Sequence, residues 1–182
     1  MHARIVLPLL ILLALLLYAI ARATTGADGT ATAGDAAATA SGATVWLVRH
    51  AEAGSGPDPA LTPAGVARAD AWYATLGSPA LRRAYATDTG RSRETAGAIA
   101  ADAGVEIAIY DPADPEALVQ LLLERGEPAV VVAHSNTLNE LAQAMGADLH
   151  LPPIAHDEHD RVYAMPLGEA AGAQAPDAPT LP

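Results

Sequence analysis

Val45-Trp46-Leu47-Val48-Arg49-His50-Ala51-Glu52 decides how the rest of the chain is read. Its apolar residues, 45–48, end abruptly in a cation, an imidazole and, two residues on, a carboxylate. A short apolar run bounded by polar residues is the signature of a buried strand. Ionisable groups at the end of such a strand cost free energy unless they are paired or put to use. Open α/β sheets bind their ligands beyond the carboxyl ends of their strands, so Arg49 and His50 are candidate site residues.

Working outward, the chain alternates between strand and helix patterns. Residues 54–59 read as a loop dense in Gly and Pro. In Leu61-Thr62-Pro63-Ala64-Gly65, Thr62 can cap a helix and Pro63 suits its first turn. Val66, Ala69, Tyr73 and Leu76 then fall on one helical face. A second strand is expected over 84–87, and a helix from about Arg91 turns Ala96, Ile99, Ala100 and Ala103 inward. Residues 105–109 read as a third strand. Asp114-Pro115-Glu116 opens a helix with Leu118, Leu121 and Leu122 toward the core. Residues 129–133 form a nearly all-valine run of the kind buried in parallel sheets, and His134 ends it. Leu138, Leu141, Ala142 and Met145 make the next helical stripe, and 161–167 reads as an edge strand. This order predicts an α/β domain of the βαβ type.

Length and composition bound the rest. With 182 residues the chain has room for one domain of ordinary size. Phenylalanine is absent, so the core must rest on aliphatic residues, Trp46, Trp72 and the tyrosines. The net charge of -11 argues against a nucleic-acid partner, which demands a basic footprint. All 10 basic residues are arginine, and cysteine is absent, which removes disulfides, thiol nucleophiles and cysteine-based metal sites. Residues 1–23 read as a targeting segment: a positive start, an apolar run over 5–20, and Ala21-Arg22-Ala23 as a small-x-small cleavage pattern. Cleavage would release the domain, and without it residues 5–21 would act as a membrane anchor. On either reading the domain is exported, to the periplasm. Residues 24–43, made of Ala, Thr, Gly and little else, read as a flexible linker. The folded domain is expected over 44–167, followed by a disordered Ala/Pro-rich tail over 168–182.

Two strands end alike, one in Arg49-His50 and the other in His134, and Arg91 opens a helix after a third. Parallel strands share a carboxyl edge, so these four side chains can converge there. Two imidazoles and two guanidiniums at one mouth suit a dianionic tetrahedral ligand, since arginine forks match phosphate oxygens in pairs. Helix starts after Asp88 and after His134 would add backbone N–H donors. Ser135 joins the phosphate-binding candidates, although such a residue also suits a helix cap.

Three blocks, LVRHAE (47–52), TDTGRSRETA (87–96) and VVVAHSNT (130–137), stand in the order seen in the histidine phosphatases, and LTPAG (61–65) between them fits as well. The chain therefore resembles the histidine phosphatase, or phosphoglycerate mutase-like, superfamily, as a small single-domain exported member. The resemblance implies a three-layer α/β/α sandwich with a mostly parallel sheet and an antiparallel edge strand. It implies a metal-independent phosphomonoester hydrolase that needs no cofactor and acts on a small phosphorylated substrate. His50 would be the nucleophile that accepts the phosphoryl group, with Arg49, Arg91 and His134 holding the phosphate. Many members carry a glutamate proton donor after the second arginine's helix, and no clear counterpart exists here. Asp111, just past a strand end, is the first candidate for that task.

Other readings compete. Phosphohistidine dephosphorylation needs no strong proton donor, and a non-catalytic phosphoanion-binding module would use the same cations. Glu52 reads as a partner for an arginine. His156-Asp157-Glu158-His159-Asp160 has zinc-ligand types but no flanking helix to fix their geometry, so it reads as a solvated acidic loop that can border the pocket.

Overall fold

The computed structural model describes residues 42–148 and 150–167. The targeting segment, most of the linker and the tail lie outside the described residues. Ala43, counted above with the linker, is tied to the fold, because the Leu167 amide donates to its carbonyl at 2.6 Å.

Among the described residues the elements follow in the order β1 (Thr44–Arg49), α1 (Pro63–Thr75), β2 (Arg83–Ala86), α2 (Gly90–Ala103), β3 (Ile107–Ile109), α3 (Pro115–Arg125), β4 (Ala129–Ala133), α4 (Leu138–Ala144) and β5 (Val162–Pro166). The sheet order is β3-β2-β4-β1-β5. β1, β2, β3 and β4 run parallel, and β5 pairs antiparallel with β1 at the edge. Helices cover both faces, so the expected three-layer α/β/α sandwich is what the chain forms. Val45, Leu47, Val131 and Ala133 point to one face, where Leu118, Leu122, Leu138 and Leu141 of α3 and α4 meet them. Val48, Val130 and Val132 point to the other, against Trp72, Ala96 and Ile99 of α1 and α2. This two-sided burial explains why 129–133 shows no alternation: every residue of β4 is buried.

The helices start where cap chemistry places them. Thr62 accepts from the Gly65 amide and Pro63 follows at the first helical position, while Asp114 accepts from the Ala117 amide ahead of Pro115. One inward face is offset from expectation. Val66 is 47% exposed, and Gly65, Ala69 and Trp72 face inward. The cause is close approach: a Cβ at Gly65 would lie 2.0 Å from the Glu52 carbonyl oxygen, so only glycine lets α1 pack on the segment after β1. The third strand is shorter than expected, and its Ile107 and Ile109 are exposed at the sheet edge while Ala108 packs on the core.

Candidate active site

Register sets the site. Arg49 pairs with Ala133 and Val48 with Val132, so β1 and β4 end level. The ladder continues one step as the His50 amide donates to the Ala133 carbonyl at 2.9 Å. His50 and His134 therefore leave adjacent strands side by side, with ring centroids 5.2 Å apart and planes at 63°. Ala86 of β2 also pairs with Val132, which sets Thr87 beside His134, and their Oγ1 and Nε2 lie 2.8 Å apart.

His50 is held in one tautomer. Its Nδ1 lies 2.8 Å from the Ala51 carbonyl oxygen, which can only accept, so Nδ1 carries the proton. The Arg91 Nε–H donates to Nε2 at 3.2 Å, which places the lone pair on Nε2. Burial pushes the His50 pKa down to about 4, against the Ala51 hydrogen bond, with His134, Arg91 and Arg49 adding to the fall. Burial, then Arg91 and Arg49, also lower His134 to about 4. Both rings are neutral across the physiological range, and neutral imidazole is the nucleophilic form.

Arg91 reaches His50 because α2 is pinned to the end of β1. Buried Thr95 donates its hydroxyl to the Arg91 carbonyl at 2.8 Å and accepts from the Ala51 amide at 3.1 Å. Asp58, from the loop before α1, lies 3.6 Å from Arg91 Nη1 and accepts from the Gly90 amide at 2.9 Å. The first amide of α2, expected as a donor to a ligand anion, is thus taken by a carboxylate of the chain itself. Arg93 turns outward to Asp88.

Arg49 is 3% exposed, and its terminal nitrogens are committed to a loop. Nη1 donates to the carbonyls of Ala155 at 2.8 Å and Glu158 at 2.5 Å, and Nη2 donates to that of His156 at 2.9 Å. Only Nε is without a partner, and it is buried. Burial lowers the Arg49 pKa against the attraction of Glu158, Asp157 and Glu52. The expected phosphate fork is therefore a loop clasp with one N–H in reserve. Glu52 does pair with an arginine, as Arg68 donates through Nε and Nη2 to its two oxygens at 2.8–3.0 Å.

A cavity of about 490 Å³ opens at this edge, lined among others by Arg49, His50, Arg91, His134, Ser135 and His159. Asp111 is not part of its wall. Its carboxylate accepts from the Ala113 amide at 2.9 Å in a turn beyond the short edge strand, where the next residue, Pro112, lines the cavity and Asp111 does not. His159 is the residue that sequence reasoning passed over as part of a solvated loop. It is 8% exposed, its ring lies 5.6 Å from that of His50, and its Nδ1 is 2.8 Å from the His50 carbonyl oxygen. The available signal was the buried arginine itself, since a guanidinium at a strand end must draw acceptors from somewhere. Among the described residues no group of three or more His, Cys, Asp or Glu is placed to hold a metal ion.

Comparison with known proteins adds to this geometry. The family model of the histidine phosphatase superfamily (branch 1) matches residues 42–112. The chain matches no curated protein in sequence. Among solved structures it is similar to mycobacterial glucosyl-3-phosphoglycerate phosphatase in complex with inorganic phosphate, at 17% identity and a TM-score of 0.51, over 67% of this chain and 88% of that one. It is also similar to a protein assigned as α-ribazole-5'-P phosphatase from Escherichia coli, at 16% identity and a TM-score of 0.51, over 61% and 82% of the two chains. A protein assigned as phosphohistidine phosphatase SixA from Agrobacterium tumefaciens gives 22% identity and a TM-score of 0.48 over 57% and 77%.

Proposed function

We propose that the chain, whose residues 42–112 match the model of the histidine phosphatase superfamily (branch 1), is a member of that superfamily and hydrolyses phosphomonoesters through a phosphohistidine formed on His50. The observation that carries this reading is the Nε2 lone pair of His50, fixed by two hydrogen bonds and facing a cavity that Arg91 and His134 share. A phosphoryl oxygen arriving between His50 and Arg91 takes the arginine's N–H and frees Nε2 to attack phosphorus. The P–O bond to the alcohol breaks as the N–P bond forms. Arg91 and His134 stabilise charge on the phosphoryl oxygens, with the buried Arg49 cation adding its field, and positioned cations supply most of the catalysis in such transfers. Water then attacks the phosphohistidine and releases phosphate. No step needs a metal or cofactor. The substrate is a small phosphorylated molecule met outside the cytoplasm, a location supported by the apolar N-terminal segment alone.

The test is covalent labelling. Brief exposure of the wild-type protein to a radiolabelled phosphomonoester, followed by alkaline quench, is expected to leave acid-labile, base-stable label. His50→Ala should carry none and lose turnover. Full activity in His50→Ala would overturn the reading, and phosphate binding with neither label nor turnover would favour a non-catalytic phosphoanion-binding module. A second reading, phosphohistidine as the substrate, draws support from the cavity wall, which contains no carboxylate among the described residues. A protonated phosphoimidazole departs as a neutral ring and needs no strong acid. Comparing turnover of a phosphohistidine peptide with that of an alkyl phosphate separates the two.

A further inference from the structure

An alkyl phosphate leaves as an alkoxide unless a proton reaches its oxygen, and the cavity wall must supply that proton. We propose that His159 is the proton donor to the leaving alcohol and the acceptor of the proton from the attacking water. The proposal rests on the phosphohistidine reading above.

The cavity offers few candidates. No Asp or Glu lines it among the described residues, and Asp111, although next to the lining residue Pro112, is exposed and accepts from the Ala113 amide through one oxygen. His50 is the nucleophile. His134 has its Nε2 tied to Thr87 Oγ1. His156 lines the cavity from the exposed side of the loop and contributes its carbonyl to Arg49. His159 differs in being buried and oriented. Its Nδ1–H donates to the His50 carbonyl, which can only accept, so its second nitrogen, Nε2, is the one that exchanges a proton. No partner engages that Nε2 among the described residues. The same bond anchors the ring to the main chain of the residue that attacks. An oriented second imidazole is how general acid–base catalysis is built.

Proton and electron counts close. As the P–O bond breaks, its electron pair goes to the ester oxygen, which takes the proton from the His159 imidazolium and leaves as the alcohol. The neutral Nε2 then takes a proton from water as that water attacks phosphorus and the N–P pair returns to His50. Burial above all, with Arg49 and Arg68, lowers the His159 pKa, against the His50 carbonyl and Glu52, which raise it; the bound phosphate dianion offsets that fall. A phosphomonoester monoanion can itself deliver the proton to Nε2 on binding.

His159→Asn provides the test, because the Asn amide can keep the donor bond to the His50 carbonyl while Nε2 is lost. The quantity to measure is kcat/KM, which reports steps up to departure of the alcohol, for 4-nitrophenyl phosphate and for glycerol phosphate. The first leaving group needs no proton and the second does. The expected loss is within threefold for the aryl ester and about a hundredfold or more for the alkyl ester, the usual scale of general acid catalysis. Equal losses for both would reduce His159 to a structural or phosphate-holding residue and overturn the proposal. No loss for either would overturn it too, as would a selective alkyl defect in His156→Asn in place of His159→Asn. A wild-type protein that turns over neither ester overturns the phosphatase reading itself, whereas the proposal alone fails if wild type is active and the ratio does not move.

Discussion

The two walls of the cavity are built by different physics. One wall is made at strand ends: His50, Arg91 and His134 are delivered there by a paired register and a pinned helix, and their side chains face one another. The other is the loop carrying residues 155–159, which contains no regular element. It is held by backbone carbonyls folded onto the buried guanidinium of Arg49. Arg49 and Arg91 are the same residue type in opposite service. Arg91, partly exposed, keeps its nitrogens toward His50 and Asp58, while Arg49 spends its terminal nitrogens on architecture. Charge aimed at a ligand and charge used to organise a loop are thus separable by what they touch, even where the two residues line the same cavity.

The sharpest break of that contrast is Arg91→Gln. The amide keeps some polarity and loses the charge, so the strand-end wall should fail chemically without failing structurally. We expect kcat/KM to fall about a thousandfold, at the upper end for removal of one stabilising donor, with a melting temperature close to that of wild type. A fall of less than tenfold would mean that charge at this position does not serve the reaction.

Arg49→Lys probes the other wall. An ammonium lacks the planar fork that reaches three carbonyls at once, so part-buried acceptors lose their donor, at roughly 0.5–1.5 kcal/mol for each bond lost. Here stability and activity should fall together, by several degrees in melting temperature and about a hundredfold in kcat/KM. A variant of native stability with the same loss of activity would return Arg49 to the role of a simple phosphate clamp.

These walls were unequally legible in the amino-acid sequence. The strand-end wall could be read because two apolar runs stop at His50 and His134, and parallel strands in one sheet must stop at the same edge. The loop wall could not, because the acceptors on Arg49 are main-chain carbonyls of Ala155, His156 and Glu158, and a carbonyl is common to every residue type. His159 was hidden for the same reason: its fixed nitrogen is held by another carbonyl, that of His50. The strand-end rule also misled once. It recommended Asp111, yet β3 has three residues at the sheet edge, and the chain beyond it turns back on itself through the Ala113 amide. The phase of α1 was misread at Gly65, where the decisive fact is an atom that is missing and not a side chain that packs.

Acid pH should strain the strand-end wall. His50 and His134 have folded-state pKa values of about 4, below the ordinary value near 6.5. A depressed value means that folding favours the neutral ring. Its stabilisation is complete above the unfolded value and is lost as pH falls from about 6.5 toward 4. We expect stability to decline over that window by on the order of 1–3 kcal/mol per histidine, and less steeply in His134→Asn. Over the same window Nε2 of His50 stays unprotonated, so attack should persist down to about pH 4. Chemical denaturation at stepped pH measures the first, and burst kinetics with 4-nitrophenyl phosphate measure the second. A loss of stability confined to pH below 4 would show that burial does not depress these rings.

The smallest expected effect belongs to the loop wall. Glu158 accepts from Arg161 Nε at 2.5 Å and from the Ala155 amide at 3.3 Å, and both side chains of the ion pair keep about a fifth to a quarter of their exposure. Glu158→Gln keeps one acceptor oxygen and the backbone carbonyl that Arg49 holds, and removes the charge together with the second acceptor. Partly exposed pairs contribute roughly 0.2–1 kcal/mol, which for a chain of this size is a fall of about 1–4 °C in melting temperature. Activity should stay within threefold. If the loop is instead organised by its own ion pair, Glu158→Gln will release residues 155–159, and kcat/KM will fall as far as it does in Arg49→Lys. Equal losses in the two variants would move the loop's anchor from main chain to side chain, and the distinction between the two walls would disappear with it.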